Sequence, residues 1–287
     1  MTGVQTCALP ILQKNRRMAI KQINIEGIWG GKGDIHWDNI HPDVNILVGS
    51  NGSGKSTLLN ILRFLLLGNT KELKELVKNV TVCVGEGMIR YEVSEKSVLW
   101  ETKNSFDVYY VNTFDIPSAK KSAQSQLTQQ LDMLLYQRQK DVYSFTDYRL
   151  ETTTRPRENV SQEHIHDFLN IINRFFASTG KTIHINERNE IVFDKTGVIL
   201  TIEQLSSGEK QVLILLFTVF LMKQQTAVLL LDEPEISLHM DWQDKLIETL
   251  FEINPNCQVF LTTHSPNIFA DGWGDKLVFM GNILTER

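Results

Sequence analysis

Val44-Asn-Ile-Leu-Val-Gly-Ser-Asn-Gly-Ser-Gly-Lys-Ser56 is the stretch from which the fold follows. Val44 to Val48 is short, largely apolar and β-branched and ends at glycine, the pattern of a central parallel strand buried on both faces. Lys55 to Leu67 then carries Leu58, Leu59, Ile61, Leu62, Leu65 and Leu66 at helical spacing and stops near Gly68. Between strand and helix lie Gly49, Ser50, Asn51, Gly52, Ser53, Gly54, Lys55 and Ser56, the glycine spacing and Lys-Ser pair of a phosphate-binding loop. Backbone N–H groups of such a turn, and of the helix behind it, point at the α- and β-phosphates of a nucleotide. Lys55 brings a charge to the β- and γ-phosphates, Ser56 offers a hydroxyl to Mg2+, and Thr57 is placed to reach the α-phosphate.

Outward from this loop, Val228-Leu-Leu-Leu-Asp-Glu-Pro234 reads as a buried strand ending in carboxylates, which holds them at the sheet's carboxyl edge, where ligands bind in α/β folds. Asp232 is expected to hold Mg2+ through water, and Glu233 to polarise the attacking water as a general base. Leu205-Ser-Ser-Gly-Glu-Lys-Gln211 opens a helix, and Ser206, Gly208 and the helix N-terminus can cap a γ-phosphate. Thr262-Thr-His-Ser-Pro266 follows a further strand and presents His264.

Taken in this order, the segments resemble the ABC superfamily of ATPases. That resemblance implies ATP with Mg2+ as the bound cofactor and Ser56 and Asp232 as the metal's protein side. It also implies Glu233 and His264 as catalytic residues, with the imidazole touching the γ-phosphate. It further implies a homodimer in which Ser206, Ser207, Gly208 and Glu209 contact ATP bound to the opposite subunit. Within the superfamily the chain resembles the soluble RecF-like, SMC-like and OLD-family ATPases more than transporter motors. The signature reads Ser-Ser-Gly-Glu-Lys-Gln, its helix continues Val-Leu-Ile-Leu-Leu-Phe, and the acidic pair is followed by Glu235-Ile-Ser-Leu-His239, with His239 where a transporter motor carries aspartate. The glutamine that many ABC proteins place after the next strand is replaced by Asn112 or Thr113. Trp29, Lys32 and Asp34, in a Gly-rich turn ahead of the loop strand, are candidates for stacking on and hydrogen-bonding adenine, or else fill the turn.

The function expected is ATP-driven closure that switches a nucleic-acid-processing or antiviral defence partner. Few residues follow His264, so a nuclease or effector activity is expected on a separate chain. The alternatives are a transporter motor, which the missing glutamine disfavours, and an ATP-dependent DNA clamp with little hydrolysis. DNA binding is implied by the resemblance only, because a net charge of -5 gives it no support. Three cysteines without metal spacing suit a reducing cytoplasm, and the apolar run Val212 to Met222 is about half a membrane span.

The fold class expected is α/β, a P-loop NTPase core with a mixed sheet, parallel at its centre and antiparallel on its flank, and a small helical lobe. Residues 1–17 resemble a translated sequencing-adapter remnant and are set aside as a non-native or disordered leader, with residues 18–287 as a single ATPase domain. Alternation from Ala19 predicts a strand pairing with Asp34 to Trp37. Val80 to Val84, Met88 to Val93, Val98 to Glu101 and Val108 to Val111 are expected to build the antiparallel flank. Helices over Ser118 to Lys140 and Ser161 to Ser178 form the lobe, at about residues 118–180, joined by a mobile loop from Asp141 to Val160. Thr182 to Ile185 and Ile191 to Phe193 are read as strands of the alternating βα region that follows. His164 and His166, two apart on a helix, diverge too far to share a metal.

Overall fold

The computed structural model describes residues 19–94, 97–102, 106–112, 125–136, 143–270 and 272–286. In chain order the strands are β1 (Ile20–Gly27), β2 (Gly33–Trp37), β3 (Val44–Val48), β4 (Asn79–Val84), β5 (Gly87–Glu92), β6 (Leu99–Glu101), β7 (Asp107–Asn112), β8 (Lys181–Ile185), β9 (Ile191–Lys195), β10 (Val198–Leu200), β11 (Ala227–Asp232), β12 (Cys257–Thr262), β13 (Leu277–Phe279) and β14 (Leu284–Glu286). The leader lies outside the described residues.

The central sheet has the order β13-β3-β12-β11-β7 and is parallel throughout. β11 shows why its strands read as unbroken apolar runs. Leu229 and Leu231 enter one core cluster while Val228 and Leu230 enter the other, so both faces are covered. On one face the helix Lys55–Leu66 is wedged between this sheet and an antiparallel sheet of order β14-β2-β1-β4-β5-β6. Leu58, Leu59, Ile61, Leu62 and Leu65 are fully buried there, each contributing roughly 1.5–3 kcal/mol of hydrophobic stabilisation. Trp37 meets Phe260 edge to face across the layers, with ring centres 5.6 Å apart.

On the other face lies the helix Ser207–Leu221, buried on nearly every side because the lobe packs over it. Phe168 of the helix Gln162–Phe176 stacks on Phe220 at 4.1 Å, and Trp242 Nε1 donates to the Phe175 carbonyl at 2.9 Å. The lobe therefore shares the core of the central sheet.

Several expectations are corrected. The Val108–Val111 strand, β7, joins the parallel sheet beside β11 rather than the antiparallel flank. The stretch Asp141 to Val160 contains a helix, Phe145–Thr154, started by a capping box between Ser144 and Asp147 and anchored by buried Phe145 and Tyr148. β8 and β9 do not enter the parallel sheet; with β10 they make a separate antiparallel meander over the lobe. The helix expected over Ser118 to Lys140 is described only at Gln126–Tyr136. Short β13 and β14 at the C-terminal end close one edge of each large sheet.

Candidate nucleotide site

β3 delivers the loop and the helix Lys55–Leu66 leaves it. Gly52 and Gly54 hold φ of 78° and 96°, the left-handed region that glycine enters without strain. A Cβ on Gly49 would stand 2.7 Å from the Ser53 hydroxyl, so a side chain there would displace Ser53. Lys55, 4% exposed, donates to the Gly49 carbonyl at 3.0 Å and the Ser50 carbonyl at 3.2 Å. Burial pulls its ammonium below the usual lysine value, opposed by the carboxylates of Glu233, Asp232 and Glu235. The buried Ser53 hydroxyl has no partner, a donor that a phosphate oxygen would satisfy.

Asp232 ends β11 and is 3% exposed. One of its oxygens accepts from the Ser56 hydroxyl at 2.9 Å and from the Thr262 hydroxyl at 2.7 Å. The Tyr110 hydroxyl on neighbouring β7 also bonds Asp232; burial, followed by the Asp232 charge, pushes that phenol up to about 12, against the pull of Arg63. The Arg63 guanidinium lies over the Tyr110 ring, 4.4 Å from its centre. Sequence reading assigned no role to Tyr110 or Thr262. No cluster of three potential metal-ligating side chains is found among the described residues. The pair Ser56 and Asp232 fits Mg2+, which takes one or two protein oxygens and completes its shell from water and phosphates.

Glu233 sits one residue beyond, in the left-handed region at φ 48°, where a non-glycine residue costs energy. Its N–H is held by the Thr262 hydroxyl at 3.0 Å and the Thr262 carbonyl at 3.2 Å, because parallel pairing sets Asp232 opposite Thr262. The side chain is thereby turned toward His264, whose Nε2 lies 3.5 Å from Glu233 Oε1. His264 is itself anchored by its backbone N–H, which donates to Glu235 Oε1 at 2.7 Å. Asn112 ends β7 in register with Asp232, and Thr113 lies outside the described residues.

At the start of the Ser207–Leu221 helix, Ser206 and Glu209 form a capping box: the Ser206 hydroxyl accepts from Glu209 N, and Glu209 Oε2 accepts from Ser206 N at 2.8 Å. Both Glu209 oxygens also accept from Lys181 of β8, at 2.6 and 2.7 Å. Gly208 lies so close to the Ser237 carbonyl that any side chain would collide with it. Ser206 and Ser207 are exposed, whereas Gly208 and Glu209 are buried.

The chain matches the family described as "AAA domain, putative AbiEii toxin, Type IV TA system" over residues 44–271. It belongs to that family. The match spans the phosphate loop, the Ser206 helix start, the acidic pair and His264, which makes the chain a P-loop ATPase of the SMC, RecF and OLD type. Among curated proteins it is 33% identical over 90 residues to the Retron Ec83 probable ATPase of Escherichia coli, a match covering 28% of this chain and 17% of that protein. It is 23% identical over 322 aligned positions to Septu protein PtuA of Bacillus thuringiensis, covering 92% of this chain and 76% of the relative. The chain thus spans a small part of the first relative's length and most of the second's. The SMC head bound to the C-terminal winged-helix domain of ScpA shares its fold at a TM-score of 0.58 and 16% identity, covering 88% of this chain and 91% of that one. The SMC head of Thermotoga maritima does so at 0.52 and 16%, covering 88% and 92%.

In this family member the loop, Asp232, Glu233 and His264 meet on one sheet edge. The adenine candidates lie beside it but are not equivalent. The Trp29 ring packs against Gly54, where a Cβ would come within 2.8 Å of it, and one-third of its surface is open. Asp34 instead turns inward and accepts from Gly27 N at 2.9 Å, bracing the turn. Lys32 is exposed. Lys78, which sequence reading did not single out, lays its aliphatic stem over Gly27. No helix among the described residues is long and apolar enough to cross a membrane.

Proposed function

We propose that this ATPase hydrolyses ATP between two copies of itself and uses that closure to switch a nucleic-acid-processing or defence partner, in the cytoplasm. The observation that carries the reading is the edge on which Ser56, Asp232 and Thr262 are joined by hydrogen bonds while strained Glu233 faces His264 at 3.5 Å. Backbone N–H groups of residues 50–56 and the Lys55 ammonium hold the phosphates, Lys55 exchanging the carbonyls it now touches for phosphate oxygens. Ser56 and Asp232 would hold Mg2+, which would supply charge neutralisation on the phosphates when bound. Glu233 takes a proton from water at the γ-phosphate, and His264 keeps that carboxylate and the water in register.

Ser206, Ser207 and the helix N-terminus behind them serve the nucleotide of the second copy, because both serines are exposed and the Ser206 hydroxyl, which caps the helix as an acceptor, still has its own hydrogen to donate, while Glu209 is spent on the fold. The retron and Septu relatives support a defence partner over a repair partner. Glu233→Gln keeps the shape of the base and removes its basicity, so with ATP and Mg2+ it is expected to accumulate as a dimer with hydrolysis lowered by roughly 100-fold or more. A Glu233→Gln chain that stays monomeric with ATP and hydrolyses at the wild-type rate overturns the reading.

A further inference from the structure

Glu235 is 9% exposed, and only one of its two oxygens is used. Oε1 accepts the His264 backbone N–H at 2.7 Å, while Oε2 is buried with no hydrogen-bond partner. A half-satisfied buried carboxylate is an expensive way to cap one amide, which a neutral side chain would satisfy at lower cost. Its surroundings show what the carboxylate governs. Glu233 and Ser237, on either side of it, are both non-glycine residues in the left-handed region, at φ 48° and 69°. Between them the Pro234 carbonyl accepts from Gln211 Nε2 at 3.5 Å, and the Ser237 carbonyl abuts Gly208. The loop is thus pressed on one side against the start of the Ser207–Leu221 helix. On the other side it is tied to the β12 end by Glu233, whose N–H donates to the Thr262 hydroxyl and whose carboxylate faces the His264 ring, and by Glu235, which accepts from the His264 backbone. Glu235 also lies near enough to the phosphate loop for its charge to act on Lys55, after Glu233 and Asp232.

We infer that Glu235 is the positioning residue for His264: its carboxylate fixes the His264 backbone, and so the imidazole, at the distance from Glu233 that hydrolysis needs. Among the described residues its side chain makes no hydrogen bond to Lys55, Ser56 or Asp232, and it acts on the reaction through His264. The inference rests on the proposed hydrolysis, and its consequences differ from those of a purely structural contact. Glu235→Ala lowers kcat by about tenfold or more while ATP affinity stays within about threefold, because the loop and Asp232 are untouched. Glu235→Gln, whose carbonyl oxygen still accepts the His264 N–H, recovers most of that loss. In a His264→Ala background, Glu235→Ala has no further effect on kcat, since the backbone N–H it holds is still there but the imidazole through which it acts is gone.

The experiment measures phosphate release and ATP-analogue binding for wild type, the two Glu235 variants, His264→Ala and the double variant. In parallel, NMR follows the His264 ring and backbone amide in wild type and both Glu235 variants. Non-additive losses, rescue by Gln and a displaced His264 amide resonance in Glu235→Ala support the inference. Equal loss in Ala and Gln variants, additive losses in the double variant, or an unmoved His264 amide overturns it. A wild-type chain that binds ATP without hydrolysing it contradicts the proposed function instead, and the His264 resonances then decide the inference alone.

Discussion

At the edge of the central sheet Lys55 rests on two loop carbonyls, Ser56 on Asp232, and the Ser53 hydroxyl on nothing; at the start of the Ser207–Leu221 helix Glu209 is gripped by Lys181 and Ser206, and Gly208 is pressed on Ser237. The first region holds its polar groups in bonds that a ligand can replace. The second has committed its charged group to the fold and leaves two exposed serines and a helix N-terminus for a ligand. The difference separates a region whose substitutions cost binding from one whose buried residues, Gly208 and Glu209, cost folding when they or their partners are replaced.

The largest expected effect tests the second region. Lys181→Met leaves Glu209 buried without its cation and is expected to cost about 3–5 kcal/mol of unfolding free energy, measured by denaturant titration. The same variant changes the acid limb. Burial would raise the Glu209 carboxyl, but the Lys181 ammonium and the Ser206 backbone N–H outweigh it and hold it below its usual value. Stability from a lowered carboxylate is present above the unfolded glutamate value of about 4.3 and is lost as pH falls through the folded value. Lys181→Met should therefore flatten the fall in stability below about pH 4.3. Glu151, lowered by Lys223 and then Tyr143, still contributes to that fall in the variant.

Lys55→Met tests the first region. It should weaken ATP binding by about 100-fold, near 2.7 kcal/mol, with the melting temperature little changed. A large loss of stability instead would erase the contrast between the two regions. Gly208→Ala comes next, at about 1–3 kcal/mol of stability, because the Ser237 backbone has to shift. Ser206→Ala removes one cap and should cost about 1 kcal/mol in thermal unfolding.

The two regions were also unequally legible in the sequence. The phosphate loop and the acidic pair lie in short segments whose neighbours dictate strand, turn and helix, so Gly49 to Ser56, Asp232 and Glu233 could be placed from local pattern. Tyr110 could not, because nothing near it announces that parallel pairing of β7 with β11 carries its hydroxyl to Asp232. Lys181 reaches Glu209 from a strand whose meander is set by the Asn186 to Asn189 and Thr196 to Gly197 turns, and the alternation of strands with helices read along this region pointed instead to a parallel sheet. The helix Phe145–Thr154 had a visible signal in Ser144 and Asp147, but its apolar residues are too few for helical spacing to stand out. Glu235 was visible only as a mark of one branch of the superfamily. Its bond to His264 depends on how two loops from adjacent strands meet.

The central claim is that one chain's phosphate loop works with another chain's helix start. Lys55→Met disables the loop and leaves the helix start; Ser207→Arg, at an exposed position, obstructs the helix start and leaves the loop. Each variant alone should release little phosphate from ATP, and mixing them should restore hydrolysis, because a mixed pair contains one site with an intact loop and an intact helix start. A mixture that releases no more phosphate than the two variants measured separately, or a Ser207→Arg chain as active as wild type, would contradict the claim.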